Sequence, residues 1–329
     1  MHYCKKGDLN ISITHKMLFT MVDGKVCNAA TQTASTMRCY ICKCTSKDFN
    51  DLSKVSSAEP ANLEFGLSIL HARIRFFEAL LHLSYKIPVK KWQLRERAEK
   101  DIVKATKQKI QEQFKNELGL IVDVPKPRYG STNDENTSRR FFSNIEISSR
   151  ITGIDQNLIQ RFATILEGIS SGYNINIDKF SVYCNETAQL YVNLYPWHPM
   201  TPTVHKILAH SPIIIKDALL PIGSLPEEAS EAWNKHFRMF RQCYSRTFSR
   251  KQCNRDVLNR LLLTSDPYLS SIRPKPPKKS KPFTPAALEM LVAWRYDQND
   301  DDDQLSNMQL HIDQSDETSD EEAWDGSSD

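Results

Sequence analysis

Hydrophobic residues recur at helical spacing in several parts of the chain. Between Gly66 and Lys86 they step by three and four positions, which predicts an amphipathic helix with one buried face. These residues are Leu67, Leu70, Ile74, Phe77 and Leu81. The stretch from Gln156 to Gly168 predicts another amphipathic helix. Residues 92–118 are rich in charge and poor in apolar anchors, and they predict a solvated helix.

A further helix is predicted from the signal at its start. Residues 224–227 have the spacing of a capping box, and Pro226 falls inside the first turn, where its missing N–H does no harm. We expect this helix to run to about Arg246 with one apolar stripe along it. The stripe consists of Trp233, Phe237, Phe240 and Tyr244.

Extended structure is expected near the N-terminus, which makes the fold class α+β and mostly helical. Residues 11–28 predict strand, because Ile11 and Ile13 alternate with polar residues and an apolar-rich run ends at Asp23 and Gly24. Asp-Gly between two strand-like runs is a hairpin signal. A carboxylate at the end of a strand can also be held against a metal ion. The pattern alone favours the hairpin turn over a metal-binding role for Asp23.

The formal charge of +3 conceals two regions of opposite sign. Residues 297–329 contain 13 acidic residues and no lysine or arginine, whereas the residues before them hold 43 basic against 27 acidic ones. We expect the acidic segment to be a disordered tail. A basic body of this kind favours a polyanionic partner, and nucleic acid is the commonest one.

The end of the basic body has a composition of its own. Residues 273–282 hold five basic residues and four prolines, which predicts a linker over 271–284. The same segment is a candidate nuclear localisation signal, and the alternative is a merely soluble linker. Residues 285–296 are expected to form a short helix before the tail.

Composition excludes several classes of protein. The chain contains 10 glycines, none at the spacing of a phosphate-binding loop, so no nucleotide cofactor is expected. Its apolar runs are far shorter than the roughly 20 residues of a membrane helix, and its polar first residues are unlike a secretory signal. We therefore expect an intracellular protein without membrane contact, whose 8 cysteines are metal ligands or buried thiols.

Cysteine and histidine pairs form a candidate metal site. Cys39 and Cys42 have the spacing of a zinc-binding pair, and zinc takes four ligands in tetrahedral geometry. His205 and His210 are a candidate second pair, but on an ideal helix they would lie about 140° apart in projection. They would share a site only if a helix end or an irregular turn lay between them. The alternative is an isolated cysteine pair and two ordinary histidines.

Glu231 lies opposite the apolar stripe of its predicted helix, in line with Lys235 and Arg238. One interpretation is a solvated face with a Glu–Lys pair worth a few tenths of a kcal/mol. The other is an acid among phosphate-binding cations, favoured by eight basic residues and one acid between Lys235 and Arg260. The candidate DNA-binding residues are Lys235, Arg238, Arg241, Arg246, Arg250 and Lys251.

Taken in order, these positions resemble the C-terminal catalytic region of the V(D)J recombinase catalytic subunit and of the Transib transposases. The match at this end consists of His205 and His210, the P-x-I-I segment at Pro212–Ile215, then Glu231 before Asn234 and Lys235. At the other end, MVDGKV followed by CYIC resembles the family's second catalytic aspartate and its zinc-binding cysteines. TNDENTSRRFF at 132–142 and LTSDPYL at 263–269 are also similar to segments of that family.

The resemblance implies an RNase H-like nuclease core over residues 1–270, split by a helical insertion at about 30–222. A structural zinc would be held in the insertion by Cys39, Cys42, His205 and His210. Asp23 and Glu231 would be the second and third acids of a D-D-E triad. In that chemistry two magnesium or manganese ions ~4 Å apart act on a DNA phosphodiester bond.

The resemblance also implies an incomplete catalytic site. The family's first aspartate lies on the first strand of the fold, and the only acid among the 22 residues before Asp23 is Asp8, in a polar segment. We therefore expect an N-terminally truncated transposase core that is nuclear, binds DNA and does not cleave it alone. Magnesium or manganese would matter only if the site were complete.

Other interpretations remain open. The chain could be a zinc-stabilised nuclear module that binds DNA or protein without catalysis, or a product that has lost its function. A second copy of the chain is a further candidate partner.

Overall fold

The computed structural model describes most of the chain. The described residues are 2–6, 9–13, 24–54, 58–127, 130–224, 227–264, 266–272, 279–292 and 311–314. Helices form most of them and the strands form two-stranded antiparallel ladders, so the described part is a mostly helical α+β structure, as predicted. No helix in this part is long and apolar enough to cross a membrane.

Fourteen α-helices lie within the described residues. In chain order they are α1 (Gly24–Ala30), α2 (Pro60–Leu63), α3 (Ile69–Lys86), α4 (Arg97–Leu118), α5 (Glu135–Ser143), α6 (Ile145–Thr152), α7 (Gln156–Ile169), α8 (Ile177–Leu194), α9 (Pro202–His205), α10 (Ser211–Asp217), α11 (Glu227–Cys243), α12 (Arg250–Thr264), α13 (Pro267–Ile272) and α14 (Pro285–Met290). The predicted helices at 66–86, 92–118, 156–168 and 225–246 correspond to α3, α4, α7 and α11.

The strands are short and each pairs with one partner. The ladders are β1 (His2–Lys6) with β2 (Leu9–Ile13), β3 (Pro125–Lys126) with β4 (Gly130–Ser131), and β5 (Lys279–Pro282) with β6 (His311–Gln314). The predicted strand at 11–28 is wrong in its second part, because Gly24–Ala30 is helical and buries Cys27 on one side. Residues 14–23 lie outside the described part.

Two compact units make up the chain, and their bounds differ from those predicted. The first, here called the helical unit, comprises residues 1–227 and 286–293; the second, the C-terminal unit, comprises 228–285 and 294–329. The predicted short separate helix is therefore part of the helical unit. Backbone hydrogen bonds account for this, since Asn176 N–H donates to the Met290 carbonyl at 2.8 Å and Val292 N–H to that of Asn174 at 2.8 Å.

Aromatic residues form the core of the helical unit around α3. Phe76 and Phe77 are fully buried on adjacent positions of this helix, and each packs on a ring from another helix. The ring centroids of Phe76 and Phe162 are 4.4 Å apart, and those of Phe77 and Phe141 are 5.0 Å apart. These contacts join α3 to α7 and to α5, so α3 lies at the centre of the aromatic core.

Side-chain caps define where several helices of this unit begin. Ser68, Asp134, Asp155 and Asn176 each accept a hydrogen bond from a backbone N–H in the first turn of α3, α5, α7 and α8. Each cap satisfies a donor that the helix cannot satisfy itself, and contributes about 1 kcal/mol. Each of these helix starts is therefore specified by a capping residue next to it in the sequence.

A half-buried carboxylate links α3 and α4. Asp123 forms an ion pair with Lys107 and lies 3.6 Å from His82 Nε2, while its backbone N–H donates to Asn133 Oδ1 at 2.7 Å. Burial alone would raise the pKa of Asp123, but hydrogen bonds from His82 and Lys107, and their charges, lower that pKa to about 2.

The C-terminal unit has a different organisation. Its helices α11 and α12 are joined by a turn in which Arg246 donates from its guanidinium to Asp256 at 2.7 and 2.9 Å and from its backbone N–H at 3.0 Å. The β5–β6 ladder pairs residues of the predicted linker with residues of the predicted disordered tail. Residues 311–314 are therefore a strand, whereas the other tail residues lie outside the described part.

Candidate functional site

The cysteine pair lies in a tight turn at residues 39–44. Cys39 N–H donates to the Cys44 carbonyl at 3.0 Å, and Lys43 N–H donates back to the Cys39 carbonyl at 2.8 Å. Lys43 has φ = 60°, in the left-handed region that favours glycine. Its ammonium group donates to the Thr31 carbonyl at 2.9 Å, which ties down the residue that closes the turn. Both thiols thus project from one short loop.

The histidine pair lies on a helix with a wide turn. Thr201 caps α9, which ends at His205, and residues Lys206–His210 form a π-helical turn before α10. A π-helical turn has hydrogen bonds from i to i+5 instead of i to i+4. Because of this wider turn, residues five positions apart come onto nearly the same face. This is the irregular turn that a shared site requires.

The two pairs meet at one buried point. Cys39, Cys42, His205 and His210 are all buried, and their candidate ligand atoms lie within 4.8 Å of one another. Cys42 Sγ is 3.4 Å from His205 Nε2, and the two imidazole rings are inclined at 82° with centroids 5.2 Å apart. The cluster joins residues 163 positions apart in the chain.

The chemistry of this cluster fits a metal ion such as zinc. His210 Nε2 is buried and has no hydrogen-bond partner among the described residues, although such an atom should be expensive to desolvate. A hydrogen bond from Cys42 lowers the pKa of the Cys39 thiol to about 7, against the opposing effect of burial, so the thiolate is accessible near neutral pH. Two thiolates and two imidazoles are a common tetrahedral zinc set.

Neighbouring residues that the sequence did not single out position the cluster. The Phe49 ring stacks on the His205 imidazole with centroids 4.4 Å apart. Asn50 Nδ2 donates to the His198 carbonyl at 3.0 Å, and Asn50 Oδ1 accepts from Met200 N–H at 2.9 Å. These contacts hold the loop after the cysteines against the segment before the histidines. A lone Phe-Asn pair carries no periodicity by which the sequence could have revealed it.

The two predicted catalytic acids are not brought together by described contacts. Asp23 lies outside the described residues, as does Asp8. Glu231 lies within α11, and its side chain is outside the described part. Their assignment as triad members stays a prediction.

The predicted DNA-binding cations are exposed along α11 and α12. They are Lys235, Arg238, Arg241, Arg246, Arg250 and Lys251. Arg246 is already committed to the ion pair with Asp256, so it is less available to a phosphate than the others. The predicted apolar stripe is wrong in part: Phe240 is buried, but Phe237 and Tyr244 are 43% and 50% exposed.

Within the described residues, the helical unit contains a buried cluster of four side chains that are typical metal ligands. The C-terminal unit has an exposed basic surface. Neither a scan against models of known protein families nor a search of curated proteins found a match to this chain.

Proposed function

We propose that this protein is a transposase-derived DNA-binding protein of the nucleus, with a zinc-stabilised helical unit and a basic surface that contacts DNA. The proposal includes descent from an RNase H-like catalytic core of the Transib type. The observation that carries it is the meeting of Cys39 and Cys42 with His205 and His210, because the resemblance implied that same set of four.

The ligand set supports the identity of the metal. Thiolate and imidazole donors in a closed, buried site are typical of structural zinc, whereas magnesium and calcium prefer oxygen donors. Zinc bound there would supply a crosslink between the two ends of the helical unit. All four donors are used in holding the metal, so this site provides no open position for a substrate.

The charge of α11 and α12 supports DNA as the partner. Arg238 and Arg241 lie one turn apart on α11, are exposed and form no ion pair with any described residue. An exposed guanidinium group can bind two phosphate oxygens at once, and its binding releases counterions from the duplex. Contacts of this kind give affinity without sequence specificity.

The set of candidate catalytic carboxylates supports DNA binding without cleavage. A two-metal site needs its carboxylates to hold both ions, and only Asp23 and Glu231 match the triad. We therefore propose that this chain alone does not cut DNA.

The test uses the full chain and a labelled 30-base-pair duplex over a range of salt concentrations. Binding should weaken steeply with salt, and Arg238→Gln with Arg241→Gln should reduce the slope of log K against log salt by about 1.8. The matched control, Lys216→Gln, changes an exposed cation of the helical unit and should leave the slope nearly unchanged. Absence of binding at low salt both to this duplex and to the corresponding single strand would refute DNA as the partner.

Cleavage is tested separately with supercoiled plasmid and Mg²⁺ or Mn²⁺. No nicking above that of the Glu231→Gln variant is expected. Nicking that disappears in both Glu231→Gln and Asp23→Asn would overturn the non-cleaving assignment. Metal analysis of the purified chain checks the zinc: about one equivalent is expected, and folded, metal-free protein would end that part of the proposal.

A further inference from the structure

Three aromatic rings are exposed where α11 ends and the turn to α12 begins. Phe237, Tyr244 and Phe248 are 43%, 50% and 76% exposed. Burying a side chain of this size normally contributes about 1.5–3 kcal/mol, so three exposed rings within twelve residues represent an unused contact surface. Exposed aromatic clusters rimmed by polar residues mark binding sites.

Polar groups surround one of these rings in a groove of about 830 Å³. The groove is lined by Asn234, Phe237, Arg238, Arg241, Gln242 and Thr247. Two guanidinium groups can bind phosphates, two amides and a hydroxyl can both donate and accept hydrogen bonds, and the Phe237 ring offers a flat face. The volume lies within the range of roughly 300–1,000 Å³ found for small-molecule sites.

Arginine side chains lie over the other two rings. The Arg246 guanidinium is 6.0 Å from the centre of the Phe248 ring, and that of Arg260 is 4.7 Å from the centre of the Tyr244 ring. Such cation–π contacts orient a ring while leaving much of it accessible. Arg246 is itself fixed by Asp256, so the Phe248 ring is held beside a rigid turn.

We propose that this surface binds unpaired nucleotides, with bases stacked on Phe237 and Phe248 and phosphates bound by Arg238 and Arg241. The inference rests on the proposed DNA binding and names the kind of DNA that this surface prefers. In a duplex the faces of the bases are covered by their neighbours, so aromatic rings outside the helix cannot stack on them. An unpaired strand presents those faces, and base–aromatic stacking is tolerant of sequence.

The experiment measures the affinity of the full chain for a labelled 20-nucleotide oligothymidine and for a duplex of equal length. Phe237→Leu and Phe248→Leu remove the flat ring and retain an apolar side chain. Each should weaken binding of the single strand by about 5- to 100-fold and leave duplex binding within about twofold. The control, Tyr268→Leu, changes a 71%-exposed ring outside the groove and should change neither affinity.

A fluorescence measurement on the unsubstituted chain covers the case in which a variant folds poorly. A 2-aminopurine base within the single strand should be quenched on binding, because stacking on a ring quenches it whereas contact with phosphates alone does not. Single-strand binding that is unquenched or insensitive to both substitutions would overturn this inference and leave duplex binding intact. Failure to bind either DNA would overturn the proposed function as well.

Discussion

The helical unit and the C-terminal unit place their aromatic residues in opposite ways. In the helical unit Phe76, Phe77 and Phe162 are fully buried, and a large set of apolar side chains surrounds them. Among the described side chains of the C-terminal unit only Phe240, Val257 and Phe283 are buried. Most of its other described large apolar residues are exposed, including Leu262 and Tyr268 at 61% and 71%, whereas Leu261 and Leu269 are half-buried.

The two units therefore differ in how much of their apolar surface is packed internally. The helical unit buries its core aromatic rings and the cluster of Cys39, Cys42, His205 and His210. The C-terminal unit exposes both its cations and its rings, and a protein surface of that composition is typical of binding to another molecule. Substitutions in both units test this difference.

The largest effect is expected from loss of the metal. Cys42→Ser removes one of the four ligands and should abolish stoichiometric metal binding. If the free metal concentration is about 10⁴ times the dissociation constant, loss of the bound metal lowers the free energy of unfolding by about 5.5 kcal/mol. Thermal unfolding with and without a chelator measures this, together with the metal content. Cys243→Ser, at an exposed cysteine, is the control, and equal metal content in both variants would contradict the assignment.

Core substitutions should rank next and differ sharply between the units. Phe76→Ala removes a fully buried ring that packs on Phe162 at 4.4 Å, and should cost about 3–5 kcal/mol in the free energy of unfolding. Phe248→Ala changes a ring that is 76% exposed and should alter it by no more than about 0.5 kcal/mol. Urea unfolding compares the two. Similar losses in both variants would break the distinction between the units.

The smallest effect is expected from loss of the negative charge on Asp123, and it depends on pH. The pKa of Asp123 in the folded chain is about 2, below the value of about 3.9 for an unfolded chain, so its ionised form stabilises the fold above about pH 4. This contribution, on the order of 1–2 kcal/mol, is lost as pH falls from about 4 to 2. Asp123→Asn keeps a residue that tolerates the observed φ of 52° and should remove the dependence.

Asp256 provides the matched comparison in the C-terminal unit. Its pKa is also lowered to about 2, by hydrogen bonds from Arg246, but the Arg246 side chain is 56% exposed, against 37% for the Lys107 side chain that pairs with Asp123. Asp256→Asn should therefore have a smaller influence on the acid limb of the unfolding curve, measured by circular dichroism from pH 6 to 2. A larger change than in Asp123→Asn would reverse the expected order.

Helices with a regular apolar period could be predicted from the sequence. The period of α3 and α7 reflects a buried face, and Ser68 and Asp155 mark their starts. Helix α8 has a similar signal in Phe180, Cys184 and Tyr191 at spacings of four and seven. The strand predicted through Gly24 failed because a short apolar run is ambiguous between strand and buried helix.

The metal cluster was predictable in its members and not in its geometry. Residue spacing predicted Cys39 and Cys42 as metal ligands and left the role of His205 and His210 undecided. The resemblance then implied that all four residues form one site. The wide turn between His205 and His210 could not be predicted, since helical periodicity assumes the ordinary 3.6 residues per turn. The exposed rings of Phe237 and Tyr244 were missed for a related reason, because a stripe on a helix predicts a buried face only where another element covers it.

The distance along the chain between the two ligand pairs also has a consequence in time. A ribosome adds roughly 5–20 residues per second, so the 163 residues that separate Cys42 from His205 take roughly 10–30 s to synthesise. During that interval the two thiols have no imidazole partners, and the core helices α3 to α8 emerge between them. The cluster can close only after those helices have been made. A metal ion held by all four side chains could therefore be bound only late in the synthesis of the chain, once both histidines have been added.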